Sequence, residues 1–223
     1  MRARRTTAVI AAAWLAFLAG LGLSGCSSPT KTDDPVELPY PLRASPDSLI
    51  AQFVWAYENM DLEVYLDCLA DSMLFYLSER DVENDPELEP GYWGKAVEQA
   101  IHESMFGDGP LSPSRIELRL TPVAIETLRA LGGQGRPIGW RYREAVDLRI
   151  YIGVWTYWAT MPSLFEIRLD PDDVGPSGEP LFEIVEWQEL DDWLGRAGRE
   201  QTSWGAIKAL YLGRGVKPLP ERD

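Results

Sequence analysis

The sequence predicts an α+β fold with helices first and strands after. Two periodicities carry this. Apolar residues recur with a period near 3.6 from Ser45 to Leu69 and from Gly91 to Met105. From Ser114 onward, apolar and polar residues alternate with a period of two, broken by Pro- and Gly-rich turns. The scale fits as well: 223 residues with 45% hydrophobic content make one domain of ordinary size with a real core.

The chain opens on Arg2, Arg4 and Arg5, followed by an uncharged run from Ala8 to Leu23. A basic start and an apolar stretch read as a secretory signal. The run is short for a membrane span, which wants about 20 residues. Leu23-Ser24-Gly25-Cys26 then resembles the lipobox of bacterial lipoproteins. That resemblance implies cleavage before Cys26 and lipid on its thiol and new amino terminus. Cys26 is thus the expected lipid attachment site and the membrane its expected partner. With Ser27 after the cysteine, the address resembles the outer membrane, facing the periplasm in a Gram-negative host. Read as structure instead, residues 1–25 are an apolar helix with an incidental cysteine beside it. Residues 26–44 hold four Pro among Ser, Thr and Asp and read as a tether.

The domain is expected over 45–212. Ser45 as N-cap, Pro46 in the first helical position and Asp47 in the first turn start a helix. Ile50, Phe53, Val54 and Tyr57 form its apolar stripe. Asp61 caps a second helix with Val64, Tyr65, Cys68 and Leu69 on one face. Ser72 to Leu77 reads as a strand, and acidic, Pro-bounded Asp81 to Pro90 as a loop. A helix from Gly91 to Met105 carries Trp93, Ala96, Val97, Ala100, Ile101 and Met105 as its stripe. Ser114 to Thr121 alternates as a strand. Ala124 to Leu131 reads as a helical turn before a Gly-rich loop. Trp140 to Ile152 puts Tyr142, Val146, Leu148, Ile150 and Ile152 on one face. Val154 to Leu169 is strand-like with a break at Pro162, Pro171 to Pro180 a hairpin loop, and Leu181 to Leu190 the returning strand. Thr202 or Ser203 caps a last helix, Trp204 to Leu212, and 213–223 is a tail.

This order resembles the cone-shaped NTF2-like (SnoaL-like) fold. Ser48 to Leu77 is similar to the opening of that superfamily, and Glu186-Trp187 and Thr202 to Tyr211 are similar to bacterial lipoproteins within it. The resemblance covers about Ser45 to Tyr211. It implies a curved, mostly antiparallel sheet wrapped around about three helices, with a pocket at the wide end. It implies no single function, because members include isomerases, hydrolases, cyclases, binding proteins and assembly scaffolds. No motif matches an enzyme branch, so no catalytic residue is carried over. The Trp204 helix lies outside the minimal fold and is expected to cover the pocket mouth.

Charge narrows the partners. The net charge is −14, near −17 once the three Arg of residues 1–25 are removed. Nucleic acid wants the opposite sign. No cofactor is expected, since no phosphate loop, nucleophile elbow or dinucleotide fingerprint occurs. No metal is expected either: the chain has one His and no Cys/His cluster, and Asp81 to Asp85 lacks EF-hand spacing. Lipidation of Cys26 leaves Cys68 a free, buried thiol.

Five side chains are candidates for a pocket. His102, four residues after Glu98, reads first as half of a surface pair, and second as an acid or base oriented by Glu98. Glu144 has the parity of an apolar strand face, which puts it either at a strand end in water or in a pocket with a raised pKa. Glu186 lies on a strand whose two faces are both mixed, so its side is open, as is that of Glu183. Trp155 and Trp158, with Tyr157, are either core packing or a stacking floor for a small apolar ligand. The expectation is an envelope lipoprotein whose domain binds a small molecule or an envelope protein. The alternatives are a small isomerase- or hydrolase-type enzyme using a carboxylate or His102, and a homodimeric assembly subunit.

Overall fold

A computed structural model describes residues 38–129, 137–191 and 203–212. Leu23, Ser24, Gly25 and Cys26, the Gly-rich part of the loop after Leu128, residues 192–202 and the tail lie outside them. The fold is α+β, as the sequence predicts: a curved sheet of seven strands packed against helices. Among the described residues no helix is long and apolar enough to cross a membrane.

Helix α1 (Pro46–Asn59) starts at Ser45, whose side chain accepts from the Ser48 amide in a capping box. It ends at Met60 in the left-handed conformation. Helix α2 (Leu62–Asp67) is capped by Asp61. Strand β1 (Leu69–Tyr76) follows, then α3 (Glu79–Asn84), one 3-10 turn at Pro86–Leu88, β2 (Tyr92–Gly94) and α4 (Lys95–Phe106). The strands β3 (Arg115–Leu128), β4 (Gly139–Ile152), β5 (Trp155–Ala159), β6 (Ser163–Val174) and β7 (Pro180–Glu189) complete the sheet. Helix α5 (Trp204–Tyr211) is capped by Ser203. The strand order is β2-β1-β7-β6-β4-β3, with β5 beside β4. Among the described strands only β1 and β7 run parallel.

Three expectations are corrected. The acidic 81–90 segment is not a loop: Ser78 and Asp85 each cap a short helical turn, with Glu79 and Asp81 at the favourable N-terminal end. Ala124 to Leu128 is not a helical turn but the end of β3, and residues 130 and 131 lie outside the described residues. A bulge between Pro122 and Ala124 breaks the alternation that buries Ile116 and Leu118, and beyond it Ile125 pairs with Tyr142 while staying 52% exposed. A period-two pattern that changes phase imitates a helical one. The segment after Pro171 is strand up to Val174 before it turns.

The core is aromatic. Phe53 of α1 stands at its middle, 5.4 to 6.1 Å between ring centroids from Tyr57, Tyr65, Phe165, Trp187 and Trp204. Such tilted and edge-on pairs are the arrangement ring quadrupoles favour. The segment before α1 is tied down too. Tyr40 packs on Trp55, and buried Arg43 pairs with Asp67, Asp170 and Asp173 at 2.8 to 3.0 Å.

Candidate functional site

The apolar residues of α4 do not all point inward. Its buried residues are Glu98, Ile101, His102 and Met105, while Ala96, Val97 and Ala100 are exposed. Two ionisable side chains are thereby driven into the core. The surface pair expected for Glu98 and His102 is therefore corrected: both are 0% exposed. The reason lies in α5. Its own inward stripe includes a lysine, Lys208, also 0% exposed, whose Nζ donates to Glu98 Oε1 at 2.8 Å. A charge on each helix makes burial of the other tolerable.

Around this pair the hydrogen bonds run in one consistent direction. Glu98 accepts from Trp93 Nε1 at 2.6 Å and from the Tyr65 hydroxyl at 2.7 Å. His102 Nδ1 lies 2.8 Å from the Glu98 carbonyl oxygen, and its Nε2 lies 2.7 Å from the Tyr57 hydroxyl. Trp204 Nε1 donates to that hydroxyl at 2.8 Å. The carbonyl can only accept, so His102 carries its proton on Nδ1 and accepts at Nε2 from Tyr57. Burial pushes the His102 pKa down to about 4, against the pull of Glu98, so the ring is neutral at pH 7. Burial alone would raise Glu98, but Lys208 above all, then His102 and Tyr65, hold it below the ordinary value. Burial pushes Lys208 down to about 8, against Glu98. The pair is therefore ionic at neutral pH.

Lys208 has more than its carboxylate. Its Nζ is 3.6 Å from the Trp187 ring centroid and 3.7 Å from that of Phe75. Trp204 is at 5.6 Å. All are within the reach of cation–π attraction. Next to it, Glu189 of β7 is 3% exposed; its Oε1 accepts from the Gly205 amide at 2.9 Å, and its Oε2 has no partner. Burial, then Asp81, raise Glu189 to about 8. Gly205 lets α5 approach this closely: a Cβ there would meet the tip of Leu77 and Glu189 Oε2 at 2.8 Å, and one of them would have to move. Helix α5 thus fills the inside of the sheet and helix layer, where its expected place was over the pocket mouth.

The other candidates are scattered. Glu144 is not at a strand end: it sits mid-way along β4, 0% exposed, with neither carboxyl oxygen bonded. It lies between Pro122 of β3 and Ser163 of β6. Burial, then Asp47 on the first turn of α1, raise it to about 7. Glu186 is half-buried, opposite Glu166. The mixed faces of β7 have a plain cause: the β6–β7 register shifts between Glu166 and Ile167, so Ile184 and Trp187, three residues apart, both point inward. Trp155 and Trp158 are corrected as core residues, being 40% and 37% exposed. Trp158 donates to Asp147 at 2.8 Å and lies under Arg149. Cys68 is a buried free thiol, its pKa raised by burial.

Two open clefts are lined by described residues. One of about 370 Å³ lies between Asp67, Asp71, Asp170, Asp172, Asp173 and Glu183, with Arg43 and Lys95. The other, about 350 Å³, lies among Glu58, Arg115, Glu117, Arg119, Asp147 and Arg149. None of the five candidates lines either. Among the described residues no group of three His, Cys, Asp or Glu is placed to hold a metal ion.

Tyr57, Tyr65, Trp93, Lys208 and Glu189 were not singled out from sequence. Lys208 had a signal, as the one charge in the otherwise apolar Trp204 to Tyr211 segment.

No protein-family model matches the chain, and no curated protein matches it. Solved structures are similar in fold. An aromatic-ring-hydroxylase-like protein from Novosphingobium aromaticivorans is 15% identical, covers 72% of this chain and 94% of its own, with a TM-score of 0.46. An NTF2-like protein of unknown function from Pseudomonas putida is 11% identical, covers 70% and 92%, with a TM-score of 0.42. An epoxide hydrolase from Mycobacterium tuberculosis is 11% identical, covers 63% and 77%, with a TM-score of 0.35.

Proposed function

We propose that this chain is a lipid-anchored envelope protein whose NTF2-like domain is a binding module. Cys26 carries the lipid, residues 26–44 lead to the domain, and the domain stands in the aqueous compartment beside the membrane. Two or more acyl chains hold such a protein stably, where one binds marginally. One observation supports binding over turnover. Four of the ionisable groups inside the domain are committed to one another: Glu98, His102, Lys208 and Tyr57 are all 0% exposed and bonded within the group. A general acid or base has to reach a substrate atom.

Cys26→Ala is expected to move the protein from the membrane to the soluble envelope fraction; unchanged membrane retention contradicts the anchor. Native mass spectrometry of the protein drawn gently from its own envelope is expected to show a bound molecule or partner, and a bare monomer contradicts the binding module.

An enzyme of the isomerase or hydrolase kind has one observation in its favour, the unpartnered Glu144 held near pH 7. Assembly through the sheet face has less. The outward side of β3, β4 and β6 is a lattice of ion pairs, Arg149 with Asp147 and Arg141 and Arg168 with Glu166, which an interface would have to desolvate.

A further inference from the structure

We infer that the interior of this domain is a recognition site for a primary alkylammonium ion, occupied in cis by the side chain of Lys208. The inference rests on the binding-module reading and names its ligand class. The walls of the site come from elements other than α5: Glu98 from α4, Phe75 from β1 and Trp187 from β7. They meet the Lys208 Nζ at 2.8 Å from Glu98 Oε1 and at 3.7 and 3.6 Å from the two ring centroids. Two aromatic faces and one carboxylate are the parts from which proteins build ammonium cages.

Trp93 and Tyr65 each donate to the Glu98 carboxylate, so its orientation is held by two groups besides Lys208. The chemistry is selective: a primary ammonium offers an N–H to Glu98, and a quaternary ammonium has none. Packing α5 does not call for this chemistry, since buried ion pairs are often no more stabilising than well-packed apolar residues of the same volume. An eight-residue helix carrying one buried lysine is then an internal ligand, which a free amine displaces.

The test uses the full-length chain with Lys208→Ala, and n-butylammonium chloride as probe. Sodium chloride and n-butanol at equal concentration are the controls. At tenfold over its dissociation constant the amine is expected to raise the melting midpoint of the variant by about 3–5 °C, and to lose this effect when Glu98→Gln is added. In the unmodified chain it is expected to speed amide hydrogen exchange over residues 204–211, where Lys208 must leave. Equal effects from butanol overturn the proposal. So does unchanged exchange in the unmodified chain, a reading that holds even if the alanine variant fails to fold. Nα-acetyl-lysinamide separates the source: a response as strong as that to butylammonium assigns the ammonium to a partner's lysine, a weaker one to a free amine, and both keep the site. A failure here leaves the binding module standing, because that reading is judged by what the envelope-derived protein carries.

Discussion

Lys208→Met is expected to lower the unfolding free energy by about 3–5 kcal/mol in a denaturant melt, although methionine fills nearly the same space. The loss comes from Glu98. At 0% exposure it is left ionised, with Tyr65 and Trp93 as neutral donors and no cation. The packing against Phe75 and Trp187 survives the change, so the cost reads the uncompensated charge and not a cavity. The double variant Lys208→Met/Glu98→Gln is expected to regain most of the stability, because a glutamine in place of Glu98 keeps an acceptor for Trp93 and removes the charge. The cycle then shows a coupling of about 2 kcal/mol or more between the two positions. A single variant as stable as the parent would mean that the pair is not buried.

Glu189→Gln is expected to stabilise the domain by about 2–4 kcal/mol at pH 8 and to change little at pH 5. The folded protein holds the Glu189 proton up to about pH 8 because the group is buried and beside Asp81, whereas the unfolded chain releases it near 4.5. Between those values the folded state binds more protons. Its stability is therefore full below pH 4.5 and lost as pH rises through 8. Glu144 acts in the same direction up to about 7. His102 acts in the opposite one: with a folded pKa near 4, it withdraws stability as pH falls from 6.5 through 4. Lys208, near 8 when folded, returns stability as pH rises from 8 toward 10.5. Glutamine at 189 keeps the acceptor for the Gly205 amide and removes only the ionisation. Melting midpoints of parent and variant at the two pH values give the answer, and a gap equal at both pH values would rule out a proton on Glu189.

Much of the fold was legible in the sequence because its signals are local. Ser45-Pro46, Asp61 and Ser203 mark helix starts by chemistry confined to one turn, and β4 alternates along its whole length. Where the reading went astray, the deciding interaction was elsewhere. The bulge in β3 is set by its pairing with β4, and the doubled face of β7 by its pairing with β6. The buried face of α4 is the plainest case. Val97 and Ala100 look like core residues and Glu98 and His102 like surface ones, until Lys208, 110 residues later, supplies the charge that lets them turn inward. Periodicity sees one helix at a time. The site is made by helices and strands far apart in the chain, and only the isolated lysine in an apolar segment hinted at it.

Reductive methylation of the folded full-length chain, followed by peptide mass analysis, reads the closed interior directly. The four lysines are Lys31, Lys95, Lys208 and Lys217. Lys95 is 24% exposed at its side chain and Lys208 is 0%. Lys95 is expected to be methylated and Lys208 to stay unmodified until the protein is unfolded. Methylation of Lys208 at the rate of Lys95 would contradict a domain closed from within by its own ammonium group.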